Sequence, residues 1–425
     1  MKTYREKMKT YHPAALPKYI EWQKVMAVWE VSDEMGALRI RSGFGSILRA
    51  LREAFVDTVI YHQTGNETAQ CLLFYGAYNY RKDHYRTFTN FASSLENVRA
   101  MAAEPCKKRW HILRGIKLTG LNFVWIVQAL LKGCNPVQAA NTAHPLTLCY
   151  VMRNGLEKEL NAHPKKLFIA YFDASPDESF AVQVARHYGL VTATLQHGIF
   201  ASKQPRKMLS DTAFEYSDSV SDYYLAWNEY TKDEWKKVAS ETQKIKVLGI
   251  PKFSGAEEIK RPEKVKKNVF GIMLNNSSFP EHNKRLIQMA NEIAKRSGIK
   301  YVLRYHPELK KDAYQEYIDK EFCMGKSDNG MTIQEYADTV DFTVISSSSV
   351  FIDLLYLGYP VYRLKVFESD TYSNVAFNAF SRADELTEML QSARGNEEVF
   401  DYMCTTRRVK KAYQDFIDEM VKDRK

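Results

Sequence analysis

From residue 166 onward, apolar and polar positions repeat a strand, turn and helix rhythm. Short β-branched and aromatic runs alternate with longer helix-period segments. Strands are predicted at 167–172, 190–195, 223–227 and 245–248, with a helix at 177–188. A second block repeats the rhythm: strand 269–274, helix 284–296, strand 301–305 and helix 333–339. It then enters residues 343–363, a β-branched run, four serines, an apolar helical pattern, and a second strand after Gly358 and Pro360. Strands alternating with helices predict parallel sheets. Residues 255–267, rich in Lys and Glu, read as a linker. The expected fold class is therefore α/β, with two Rossmann-like units facing a cleft. Residues 67–250 would form the first unit, and 251–425 the second with its terminal helices.

The first third of the chain is less regular. Residues 1–66 read as mostly helical, at 19–35 and 46–61. A first strand is predicted at 71–74, and residues 93–160 read as helices without a strand. Charge sharpens this picture. Residues 1–150 hold 20 Lys and Arg against 11 Asp and Glu, a balance of +9 that equals the net charge of the whole chain. Such a surface suits an anionic leaflet, an acidic substrate or nucleic acid. Residues 107–131 combine Lys107, Lys108, Arg109 and Trp110 with a long aliphatic run, as an interfacial helix would. The other reading is a core helix with a basic start. The apolar run 121–131 is shorter than the roughly 20 residues that span a bilayer. The opening M-K-T-Y-R-E-K-M-K has no apolar stretch after it, so no signal peptide is expected. Six scattered cysteines predict reduced thiols and a cytoplasmic protein.

Three polar clusters follow predicted strands: Gln196-His197-Gly198, Arg304-Tyr305-His306-Pro307-Glu308, and Ser346 to Ser349. In a parallel sheet such positions share one edge, where ligands bind. Ser347, Ser348 and Ser349 sit at a helix start, where free N–H groups attract anions. Asp353 lies one turn later on the same side and would take ribose hydroxyls. The plainer reading is a capping serine and a solvated acid. Asn275 opens the polar turn after 269–274, and Arg81 lies in the aromatic, basic turn after 71–74. His197, beside Gly198, suits a general base. Asp177 and Glu178, near Asp173, read either as an acidic site or as caps of the following helix. No phosphate loop of the G-x-x-x-x-G-K-[ST] type is present, and no G-x-G-x-x-G, G-x-S-x-G or H-E-x-x-H motif.

Taken together, the three clusters resemble the GT-B superfamily of nucleotide-sugar transferases. They look most like bacterial surface-polymer enzymes, the CDP-glycerol glycerophosphotransferases and capsule polysaccharide transferases. His306-Pro307 is similar to the family's HP motif. Ser348-Ser349-Val350-Phe351-Ile352-Asp353, with Tyr359-Pro360-Val361, is similar to its serine motif. His197-Gly198 is similar to its His-Gly motif, with Gln196 where Trp is usual and Ile199-Phe200 in place of threonine and proline. The resemblance implies a glycosyl- or polyol-phosphate transferase of surface-polysaccharide synthesis. His306, Ser347 to Ser349, Asp353 and Asn275 would hold the donor nucleotide, with His197 as base. Gln196, Gly198, Arg304, Glu308 and Arg81 would contribute to the substrate side. It implies no cofactor and no metal beyond a nucleotide-sugar or CDP-polyol donor. The other partner would be a polysaccharide or lipid-linked acceptor at the inner face of the plasma membrane, and no nucleic acid is expected. Two rival readings are a UDP-sugar 2-epimerase-like enzyme and a catalytically silent nucleotide-sugar-binding subunit.

Overall fold

The computed structural model describes residues 7–25, 43–55, 59–78, 80–105, 111–200, 219–237, 243–261, 268–310, 312–327, 330–346, 348–366, 372, 375, 378–391 and 394–422. Two sheets organise them. The first contains β1 (Val59–Gly65), β2 (Cys71–Tyr75), β3 (Val98–Pro105), β4 (Leu167–Ala170), β5 (Val191–Leu195), β6 (Tyr223–Ala226) and β7 (Lys244–Val247). Their spatial order is β1-β3-β2-β4-β5-β6-β7. All neighbours pair in parallel except β1 with β3. The second sheet contains β8 (Val269–Met273), β9 (Lys300–Arg304), β10 (Cys323–Lys326), β11 (Phe342–Ile345), β12 (Val361–Leu364) and β13 (Ala379–Phe380). Its order is β10-β9-β8-β11-β12-β13, parallel throughout. This is the expected α/β architecture of two parallel-sheet units.

Each sheet reverses its direction of growth once. The chain leaves β2 for β3 on one side and then places β4 on the other; it does the same at β8, between β9 and β11. Loops diverge at such a reversal and leave a crevice at the carboxyl ends of the strands. The two crevices belong to the loops after β2 and β4, and after β8 and β11.

The helices are α1 (Gly43–Phe55), α2 (Lys82–Ser94), α3 (Ile112–Leu131), α4 (Pro136–Asn141), α5 (Ala143–Ala162), α6 (Pro176–His187), α7 (Glu229–Lys236), α8 (Pro280–Ser297), α9 (Ile333–Ala337), α10 (Val350–Tyr356), α11 (Ala383–Gln391), α12 (Arg394–Met403) and α13 (Val409–Lys422). One buried apolar cluster runs from the first sheet through α13 to α10 of the second unit, including Leu195, Tyr224, Phe351, Leu355 and Tyr413. The last helix thus returns to the first sheet. The Lys166 Nζ donates to Val421 O at 2.9 Å, and the Phe91 and Tyr413 rings meet edge to face at 4.8 Å. The chain crosses between units at Gly249, whose φ of +89° favours glycine and where a Cβ would lie 2.7 Å from Val409 Cγ2.

The first third departs from expectation in two places. Residues 59–65 form β1, where a helix was expected, and 98–105 form β3 inside a stretch expected to be wholly helical. V-R-A-M-A-A-E-P is rich in good helix formers. Pairing between β1 and β2 with Met101 and Ala103 fully buried overrides that preference. The helix expected at 19–35 is described only up to residue 25, with one helical turn at Trp22–Val25; the remainder lies outside the described residues. β10 and β13 are further strands that the hydrophobic pattern did not mark.

Candidate active site

The end of β5 carries the first wall of the cleft. The Gln196 amide is buried and bonded at both ends: Oε1 accepts from Trp227 N at 2.7 Å, and Nε2 donates to Gly198 O at 2.7 Å. The Trp227 Nε1 donates back to Gln196 O at 2.7 Å. These bonds tie the end of β5 to the end of β6 and hold the short loop bearing His197. Gln196 is therefore a brace for that loop. A Cβ added at Gly198 would meet no protein atom within 4 Å, so this glycine leaves open space at the wall.

The His197 ring packs against Phe172, centroids 3.7 Å apart, at the end of β4. Burial, then the nearby His84 and Arg81 charges, pull its pKa from 6.5 down to about 3. The imidazole is neutral at physiological pH. His84, from the first turn of α2, stands 6.4 Å from it, edge to face. Burial and Arg81 lower the His84 pKa too, with Asp83 opposing. Arg81 itself donates two hydrogen bonds to Asp83, at 3.1 and 2.6 Å.

The loop after β2 is shaped by the acidic pair that starts α6. Asp177 Oδ2 accepts from Ala77 N at 2.6 Å and Tyr78 N at 2.8 Å. Glu178 accepts from Gly76 N at 2.9 Å and Phe172 N at 2.6 Å. Burial pushes both carboxyls up, Glu178 well above its ordinary value. Asp173 accepts from Val220 N at 3.1 Å and Ser221 N at 3.0 Å. Their carboxylates are spent on backbone N–H groups of neighbouring loops, which is a structural task rather than an acidic site. The sequence reading of caps was close: the pair caps two loops beyond its own helix.

The second wall comes from the other sheet. Ser349 and Asp353 line the same cleft of about 460 Å³ as Arg81, Gln196, His197 and Gly198. That volume falls in the range of small-molecule sites, roughly 300–1,000 Å³. Ser349 takes the N-cap position of α10 without a side-chain capping bond. The Ser348 hydroxyl accepts from Val350 N at 3.3 Å. Ser347 lies outside the described residues. Asp353 forms an ion pair with Lys252, from the one-turn 3-10 helix Pro251–Phe253 at the crossing between units. Phe253 stacks on Tyr356 at 4.9 Å, and Tyr356 donates its hydroxyl to Trp227 O at 3.1 Å. α10 is thereby anchored to the first unit.

Asn275 and His306 stand elsewhere along this edge. Asn275 Nδ2 donates to Ser346 Oγ at 2.6 Å, across the point where the second sheet reverses. His306 follows β9, which β8 separates from β11. Its Nδ1 accepts from Glu308 N at 3.3 Å, so a neutral ring carries its proton on Nε2 and is a donor there. Asn275, His306, Ser348 and Glu308 are not among the residues lining the cleft. Arg304 is absent from that lining as well. Its Nη2 donates to Met331 O at 2.6 Å and its guanidinium lies 5.5 Å from the Tyr336 ring centroid.

The cleft also contains residues that sequence reasoning passed over: His84, Tyr171, Trp227 and Lys252. Lys252 carried a signal, since it follows the Gly249-Ile250-Pro251 crossing. His84 had one too, lying three residues after Arg81 in a turn already marked as polar and aromatic. Among the described residues, no group of three or more His, Cys, Asp or Glu is placed to hold a metal ion.

No protein-family profile matches the sequence, and no curated protein matches it. Solved structures with a similar arrangement include the UDP-GlcNAc 2-epimerase from Methanocaldococcus jannaschii, at 13% identity and a TM-score of 0.48, covering 83% of this chain and 99% of that one. The wall teichoic acid polymerase TagF is similar at 12% identity and a TM-score of 0.42, covering 95% and 97%. The pneumococcal O-GlcNAc transferase GtfA is similar at 11% identity and a TM-score of 0.42, and the chain spans 60% of its length and 64% of its own. At such identities and TM-scores the likeness extends to the arrangement of the two sheets and no further.

Proposed function

We propose that this protein is a transferase that moves a glycosyl or polyol-phosphate group from a nucleotide-activated donor to a polysaccharide or lipid-linked acceptor. The observation that carries the reading is the shared cleft: neutral His197 on one wall, Ser349 and Asp353 on the other. In this reading the donor lies along the edge of the second sheet. Ser347 to Ser349, Asn275 and His306 hold its phosphates through side-chain donors and backbone N–H groups. Asp353 takes a ribose hydroxyl when Lys252 releases it. His197 accepts the acceptor hydroxyl's proton as that oxygen attacks, and the nucleotide phosphate departs with the bonding electrons.

A pKa of about 3 makes the ligand-free His197 a weak base. Its depression comes partly from His84 and Arg81, and an anionic ligand beside them would offset that repulsion. Bound substrate would thus raise the base toward useful strength.

Thermal unfolding with UDP-, CDP-, CMP- and GDP-linked donors tests the reading. A cognate donor at a hundredfold excess over Kd stabilises by about 2.7 kcal/mol. Turnover requires an acceptor, and His197→Ala lowers it by about 10²- to 10⁴-fold while donor stabilisation persists. Stabilisation by none of the donors rejects the reading. Turnover of donor alone favours an epimerase, and no turnover with retained binding favours a silent binding subunit.

A further inference from the structure

α3 presents two opposite faces. Gly115, Leu118, Asn122, Trp125 and Ala129 are buried. The N-terminal segment helps to cover this side: Trp125 Nε1 donates to Ala14 O at 2.9 Å, and the Tyr11 hydroxyl donates to Trp125 O at 3.1 Å. The far side is apolar and uncovered. Leu113 is 85% exposed, Phe123 70% and Leu131 82%, and Ile112, Ile116 and Val124 are exposed on the same side. At 100° per residue these positions fall opposite the buried ones and form one stripe, about 30 Å long for a helix of this length. None of them is polar. Gly120, on the same side, has open space around its Cα. Sequence reasoning weighed an interfacial helix against a core helix; α3 has one core face and one bare apolar face.

Charge says what covers that face. From residue 105 to residue 156 the chain contains no Asp or Glu and seven Lys or Arg. Lys117 and Lys132, on α3 and just after it, are exposed. A second copy docked on this stripe would bring like charge against like. Protein interfaces also carry about one hydrogen bond per 100–200 Å², and these exposed side chains have no polar atom to give. An apolar stripe on a helix whose charged residues are Arg114 and Lys117, with Lys132 just after it and no acid, matches the boundary between headgroups and acyl chains in an anionic leaflet.

We propose that α3 lies flat on an anionic lipid bilayer, with Leu113, Phe123 and Leu131 inserted and Lys117 and Lys132 among the headgroups. This goes beyond the transferase reading and does not depend on it. α3 does not cross the membrane: no helix among the described residues is long and apolar enough to do so.

Co-sedimentation of the full chain with vesicles tests the proposal. One set contains phosphatidylcholine and phosphatidylglycerol, the other phosphatidylcholine alone. The protein is expected to bind the mixed vesicles at low salt, and less as salt rises. Leu113→Glu with Phe123→Glu lowers that binding about tenfold or more. Both side chains are exposed, so Tm stays unchanged; Leu131→Ser is a milder second variant with partial loss. Failure of the native chain to bind mixed vesicles at low salt overturns the proposal. So does equal binding by the variants. Light scattering without lipid covers the remaining occupant: a native dimer that the double variant converts to monomer assigns the stripe to self-association and likewise overturns it.

Discussion

The His84 ring stands edge-on to the His197 ring, with centroids 6.4 Å apart and planes at 75°. One comes from the first turn of α2 and the other from the loop after β5, so only the fold brings them together. Arg81, three residues before His84, adds a permanent positive charge to the same wall. Crowding of like charge disfavours protonation of either ring. Burial is the first cause of the low His197 pKa of about 3, with His84 and Arg81 after it, so Arg81→Ala should raise it only in part. Imidazole proton chemical shifts followed against pH measure this, and an unmoved titration would show that Arg81 does not contribute to the depression.

The same depression makes a pH prediction. The folded state resists protonating His197, while the unfolded chain takes the proton near pH 6.5. Between those values the unfolded state binds more protons, so stability rises with pH. The stabilisation is fully present above about pH 6.5 and is lost as pH falls toward 3. Chemical denaturation of native and His197→Phe proteins across that window should show a shallower acid slope in the variant.

Gly76 has no room for a side chain. A Cβ there would lie 2.5 Å from Asp177 Oδ2 and 2.7 Å from Glu178 Cγ. Gly76→Ala would push apart the carboxylates that hold the loop after β2. A loss of about 1–3 kcal/mol is expected in urea unfolding, as for other overpacked sites. Wild-type stability would mean that the clamp shifts freely.

Lys252 and Asp353 join the crossing segment to α10. An ion pair with a partly exposed lysine contributes about 1 kcal/mol or less. Asp353→Asn should accordingly leave Tm nearly unchanged. If the carboxylate takes a ribose hydroxyl, donor affinity falls by about 10- to 100-fold, as for a lost hydrogen bond to a charged group. Calorimetric titration of the donor against native and variant chains separates the two effects, and an unchanged affinity removes Asp353 from the donor site.

Much of this arrangement was legible in the chain. The strands from 167 onward, apart from β10 and β13, and the positions of Gln196 to Gly198 and of the serine turn at strand ends followed from hydrophobic period and turn residues. Roles were less legible. Gln196 reads as a substrate ligand but braces Trp227 and Gly198. Arg304 sits at a strand end yet turns to Met331 and Tyr336. Direction of a side chain depends on neighbours that lie far off in sequence, and no local pattern records them.

Local chemistry by itself determined the alternation of strand and helix and the polar ends of the strands, because period and turn preference act over a few residues. It also set the acid-free, basic character of residues 105–156. The tertiary structure alone decided that 98–105 would be a strand, since pairing on both sides outweighs helix preference in an alanine-rich run. It alone left one face of α3 bare, and it alone set His84 beside His197. Each of these depends on contacts between segments tens of residues apart, where packing and shared burial, not sequence neighbours, settle the lowest free energy.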